Sequence, residues 1–113
     1  MSEYFDLGRI AELQDILGAD AGAILASMLA SMTGAIERVE AAMAAGELDR
    51  ATQDAHRARN DALMLSAGQL QHALTELEAA TRGGDGEGAR AALERLREVW
   101  PPTRDGLAAA AAN

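Results

Sequence analysis

Residues 20–46 read DAGAILASMLASMTGAIERVEAAMAAG, and within them Leu25, Met28, Met32, Ile36, Val39 and Met43 recur at spacings of 3, 4, 4, 3 and 4. That is the period of an amphipathic α-helix, with Asp20 placed to cap it, a span of about Ala21 to Ala45, and Gly46 as its stop. Upstream, Leu7, Ile10, Leu13 and Leu17 keep the same period until Gly18, which predicts a short first helix. Downstream, Leu48, Ala51, Ala55, Ala58, Ala62 and Leu65 mark a third helix starting near Glu47. Ser66-Ala67-Gly68 is a weak breaker, and Leu70, Ala73, Leu74 and Leu77 carry a fourth helix to about Arg82. Four glycines between Gly83 and Gly88 make the strongest loop, with Asp85 or Gly86 near the next helix start. Ala89, Leu93, Leu96 and Trp100 then define a fifth helix, which Pro101-Pro102 should stop or kink, Thr103 to Ala112 returning to helix beyond them. Short connections between long helices force antiparallel neighbours. The expected fold is all-α: an antiparallel four-helix up-down bundle with a short N-terminal capping helix, one domain over 1–113 with a frayed tail at 108–113.

Composition supports this. Alanine fills 27 of 113 positions against 11 for Val, Ile and Thr together, so helix formers far outnumber the β-branched residues that strands favour. The formal charge of −8 lacks the basic footprint of a nucleic-acid binder or an anionic-membrane binder. No cysteine is present, so there is neither a disulfide framework nor a thiolate zinc site. Met1 to Leu7 carries Glu3 and Asp6 where a signal peptide has basic residues, and Asp20, Gly22, Ser27 and Ser31 interrupt the longest apolar run, read as too short to span a bilayer. A cytoplasmic location is therefore expected, with no membrane partner. The Met-rich second helix reads as core, which expects a monomer.

Chemistry is sparse. A di-metal carboxylate centre in a bundle needs Glu-x-x-His pairs, but Gln53 and Gln69 stand three residues before His56 and His72. The glycine cluster follows a helix and lacks the Lys-Ser/Thr ending of a phosphate loop. His56 is the informative residue. At 100° per residue it lies on the order of 130° from the centre of the Leu48 to Leu65 stripe, facing solvent. Gln53, Arg59 and Asn60 share its face, Thr52 adds a hydroxyl, and Arg50 and Arg57 complete a basic island in an acidic chain. An exposed imidazole near neutral pH is partly unprotonated and nucleophilic, and such neighbours can hold the oxygens of a phosphoryl group on its ring. His72 has nothing comparable beside it and reads as ordinary surface.

Over nearly its whole length the chain resembles the histidine-containing phosphotransfer (Hpt) domains of two-component phosphorelays. Their core, roughly Ala-His-x-Leu-Lys-Gly-Ser followed by Leu-Gly-Ala and another Leu, is met here by the segment from Ala55-His56-Arg57-Ala58-Arg59-Asn60 to Leu70. Ala44 to Glu47 resembles the turn before the active-site helix of that family, and Leu77 to Asp85 resembles its Leu-Glu-x-Ala-x-Arg-x-Gly-Asp helix end.

The resemblance implies a phosphoryl carrier without a nucleotide site or catalytic turnover, with His56 as phosphoacceptor. Arg59 stands where the family has a phosphate-stabilising lysine, in a chain whose ten basic residues are all Arg. Asn60 stands where the family prefers glycine, so its side chain narrows a partner's approach or bonds phosphate itself. Gln53 is a further donor beside the ring, and Glu78 falls where chemotaxis-kinase members place a ring-orienting glutamate. Arg57, Leu63 and Met64 form the expected partner-binding face, the alternative for Leu63 and Met64 being a helix end wrapped by the first and fourth helices. The implied partners are the receiver domain of a response regulator and a hybrid histidine kinase. No cofactor of its own is implied; Mg²⁺ belongs to the receiver. The alternative is a helical interaction module that accepts no phosphate, either a degenerate relative or an unrelated adaptor.

Overall fold

In a computed structural model that describes residues 4–112, the periodic stripes become five α-helices: α1 (Leu7–Leu17), α2 (Ala21–Ala44), α3 (Leu48–Met64), α4 (Gly68–Arg82) and α5 (Gly86–Ala111). Glu3 of the acidic start and Asn113 of the tail lie outside the described residues. Helices α2 to α5 form the expected antiparallel bundle, in which α3 packs between α2 and α4, and α5 closes the ring against α4 and α2. The molecule measures 43 × 23 × 18 Å.

Alanine lets the helices approach. Ala51, Ala55, Ala58 and Ala62 are fully buried along α3, while Met32, Leu65, Leu70, Leu74, Leu77 and Leu96 fill the space between helices. Each such large side chain contributes about 1.5–3 kcal/mol by leaving water. By length and composition the 7–44 stretch contains a helix apolar enough to cross a membrane, which corrects the expectation that its apolar run is too short. Only 17% of its most apolar 18-residue window is buried, although Leu25, Met32, Ala35, Ile36, Val39 and Ala42 face the bundle core.

Helix α1 covers the end where α2 begins and α5 finishes. The Asp6 carboxylate caps it by accepting from the Gly8 N–H at 2.8 Å. The Arg9 Nε–H donates to the Met64 carbonyl at 3.2 Å, and the Gln14 side-chain amide donates to the Ala110 carbonyl at 3.4 Å. Phe5 packs on Gly106, where a Cβ would come within 2.5 Å of its ring.

Two local expectations need correction. Asp20 does not cap α2 with its side chain. It belongs to a 3-10 turn, Gly18–Asp20, which feeds directly into α2 through a bond from the Ala21 N–H to the Gly18 carbonyl. The expected Ser66-Ala67-Gly68 breaker does separate α3 from α4: Ser66 is left-handed, with φ 53°, and Gly68 is the first residue of α4. Ala67 decides that register, because it is fully buried and its N–H closes the turn onto the Ala62 carbonyl at 2.9 Å. Pro101 and Pro102 do not end α5, which stays helical to Ala111, inside the tail expected to fray. The two missing N–H donors would have served the carbonyls of Arg97 and Glu98, both exposed residues that water reaches. On the opposite face Leu96, Val99, Trp100, Thr103 and Leu107 are buried on both sides of the prolines, and the Thr103 hydroxyl donates to the Val99 carbonyl at 2.8 Å.

Candidate functional site

His56 lies on the outer face of α3, with its side chain 48% exposed, and the antiparallel packing of α4 sets Glu78 beside it. Glu78 is a buried carboxylate with three donors around it. His56 Nδ1 lies 2.9 Å from Glu78 Oε1, Arg59 Nε lies 3.3 Å from the same oxygen, and Arg82 Nη2 lies 3.1 Å from Oε2. Burial pushes the Glu78 pKa up, but the hydrogen bond from His56 and the charges of Arg59, His56 and Arg82 outweigh it, so the net direction is below the ordinary carboxylate value. Glu78 is therefore an ionised acceptor at neutral pH.

That charge assigns the imidazole tautomer. An ionised carboxylate only accepts, so at 2.9 Å it places the ring proton on Nδ1. Arg59 Nη2 also lies 2.9 Å from Nδ1. A charge-assisted bond from Nδ1–H to the carboxylate is the stronger of the two arrangements, and Arg59 keeps its own bond to the same oxygen. Among the described residues the ring's hydrogen bonds all fall on Nδ1. Nε2 is then the unprotonated, nucleophilic nitrogen, on the side of the ring away from the buried carboxylate.

The remaining expected site residues divide into two groups. Gln53 and Arg57 are exposed and share an open depression of about 360 Å³ with His56, Thr52 and Arg82. Asn60, one turn beyond His56, is exposed, and Leu63 and Met64 continue the outer face at 55% and 52% exposure. Arg59 is held at Glu78 and Nδ1. Of the basic island, Arg50 is paired with Glu47 at 3.2 Å. Thr52 does not offer its hydroxyl to the ring: Oγ1 donates to the Leu48 carbonyl at 2.8 Å and lies 2.7 Å from Thr81 Oγ1, clamping α3 to α4.

Arg82 is the residue that reading the sequence missed. Its signal was present in the four-residue spacing from Glu78, which puts both on one face of α4. An ion pair between the exposed Arg38 and the buried Asp54, 3.4 Å apart, also went unread; it joins α2 to α3 on the side away from Glu78.

No protein-family model matches the chain, and no curated protein matches it. Among solved structures, the crystal structure of histidine-containing phosphotransfer protein B (HptB) from Pseudomonas aeruginosa PAO1 is similar, with a TM-score of 0.89 at 20% sequence identity. The match covers 99% of this chain and 97% of that one. At this identity the likeness shows the fold, an all-α bundle of the same architecture.

Proposed function

We propose that this protein is a histidine phosphotransfer carrier that relays a phosphoryl group between receiver domains, or from a hybrid kinase to a receiver, through a phosphohistidine at His56. The observation that carries this reading is the 2.9 Å contact between His56 Nδ1 and the buried Glu78 carboxylate, which leaves Nε2 as the nucleophile on an exposed helix face. The fold shared with a phosphotransfer protein supports it.

In the transfer, the Nε2 lone pair attacks the phosphorus of an aspartyl phosphate. The phosphorus–oxygen bond to the aspartate breaks, the carboxylate leaves with that electron pair, and a phosphorus–nitrogen bond forms. The ring gains a positive charge, its proton stays on Nδ1, and Glu78 balances that charge at 2.9 Å. The reverse step hands the group to a second receiver. Phosphoryl transfer of this kind is mainly positioning and charge neutralisation, so a rigid helix carrying one oriented imidazole suffices on this side. Mg²⁺ belongs to the receiver in this reading: both oxygens of Glu78 already accept from cations, and the other groups around His56 are donors. The receiver docks across Arg57, Asn60, Leu63 and Met64, where an exposed apolar pair lies two turns beyond His56 along α3. The site fits a carrier in the cytoplasm, with no turnover of its own.

The test is incubation with a phosphorylated receiver domain. Wild type should acquire label that is stable to alkali and labile to acid, and His56→Gln should acquire none. Unlabelled wild type that still binds the receiver would leave an interaction module in place of a carrier.

A further inference from the structure

His56 is met by arginine from two sides. The antiparallel register that sets His56 against Glu78 also sets Thr52 against Thr81. Arg59 therefore flanks the ring toward the C-terminal end of α3, and Arg82, next to Thr81 in α4, flanks it toward the N-terminal end. A helical side chain leans over the turn that precedes it, which carries the imidazole over Thr52 and Gln53 and away from Asn60. The open depression lies on that side, walled by Thr52, Gln53, His56, Arg57 and Arg82. Neither Arg59 nor Asn60 lines it.

The two guanidinium groups are also committed differently. Arg59 directs Nε at Glu78 and Nη2 at the Nδ1 edge of the ring, and its side chain is only 26% exposed. Arg82 uses Nη2 alone on Glu78, and its side chain is 67% exposed. A guanidinium carries five N–H donors in a planar fork suited to phosphate oxygens, so Arg82 can keep Glu78 and still present donors to an anion.

Building on the carrier reading, we propose that the phosphoryl group on Nε2 sits in this depression with its oxygens bound by Arg82, and with Arg57 and Gln53 at the rim. Arg59 is a positioning residue: it acts on the ring by holding Glu78, and the cation that holds phosphate comes from α4. The position that matches the family lysine and the position that meets the phosphate are then different residues.

The experiment loads the full chain with phosphoramidate, a small donor that passes its phosphoryl group to imidazole as ammonia leaves, so no partner protein enters the measurement. Loading rate and phosphohistidine half-life are followed by ³¹P NMR, and the ring tautomer by ¹⁵N NMR. Arg82→Gln should slow loading and shorten the half-life about fivefold with the tautomer unchanged, and Arg82→Lys should restore most of the loss. Arg59→Gln should lower the Nδ1–H population and shift the pH profile of loading, while changing the half-life less than about twofold. Wild-type rate and half-life in Arg82→Gln would overturn the phosphate seat and leave the carrier reading standing. So would an Arg59→Gln that loses the half-life with its tautomer intact. Wild type that takes label neither from phosphoramidate nor from a receiver overturns the carrier reading and the seat with it.

Discussion

His56 and His72 are both exposed histidines on neighbouring helices, and each contacts a glutamate, yet the two contacts are of different kinds. His72 meets Glu76 through Nε2, one turn along the same helix, with both side chains at least half exposed. His56 meets Glu78 through Nδ1, across a helix boundary, and that carboxylate is buried and fixed by Arg59 and Arg82. An exposed pair one turn apart is worth a few tenths of a kcal/mol and holds neither ring nor tautomer. A buried, doubly braced carboxylate orients the ring and leaves the outer nitrogen free. The pair differs in which nitrogen is engaged and in whether its partner can move.

The largest effect separates the two rings outright. His56→Gln should abolish acid-labile labelling, whereas His72→Gln should keep the wild-type rate, measured with the same phosphorylated receiver. Label lost from both variants, or retained by both, would break the distinction.

Removing the braced carboxylate comes next. Glu78→Gln keeps a hydrogen-bonding side chain but removes the charge that sets the tautomer and balances the developing imidazolium. Loss of one charge-assisted bond of about 1.5–3 kcal/mol corresponds to a slowing of about 10- to 100-fold. The matching change Glu76→Gln should leave the rate unaltered. A wild-type transfer rate at neutral pH in Glu78→Gln would dismiss the orienting role.

How legible was this in the chain? The stripes were, because a core face must repeat at the helical period: Leu25 to Met43, the α3 alanines, and Leu70 to Leu77 all land in or against the core. The exposure of His56 followed from the same arithmetic. Glu78 became visible only through the family resemblance, since no local pattern links residues 22 apart, and the α3–α4 register is what joins them. Arg82 was missed although its four-residue spacing puts it on the face of Glu78, because the role of that face depends on the same register. The Pro101-Pro102 pair misled because its cost depends on which face carries the lost bonds, and here that face is exposed. The Ser66-Ala67-Gly68 breaker was legible as a break, but not that Ser66 takes the left-handed conformation there, which the burial of Ala67 accompanies.

A smaller effect concerns acid. Asp61 and Glu78 are both carboxylates in the α3–α4 region, but burial raises the Asp61 pKa and only the Ser31 hydroxyl opposes it, whereas three cationic neighbours bring Glu78 down against its own burial. A carboxylate whose folded pKa lies below its unfolded value binds fewer protons in the fold. Its contribution to stability is fully present above the unfolded value of about 4.3 and is lost as pH falls through the lower, folded value. Wild type should therefore lose stability to denaturant below about pH 5 more steeply than Glu78→Gln does. Identical slopes for the two proteins would show that the network around Glu78 contributes nothing to folding.

The smallest effect lies at the residue one turn beyond each ring. His72 has Glu76 there, in an exposed contact; His56 has Asn60, which is exposed and leaves the ring to Glu78. Because the imidazole leans toward Thr52 and Gln53, the Asn60 amide stands between the ring and Leu63 on the proposed docking face, which on that proposal puts it closer to the partner than to the phosphate. Asn60→Gly should then speed transfer from a receiver a few fold while leaving phosphoramidate loading unchanged, at a stability cost of up to about 1 kcal/mol for glycine inside a helix. Asn60→Glu supplies only an exposed carboxylate like Glu76, too weak to draw the ring from Glu78, and should keep phosphoramidate loading within about twofold of wild type. If Asn60→Gly instead slows phosphoramidate loading, the amide is a phosphate ligand, and the seat extends past His56 toward the C-terminal end of α3.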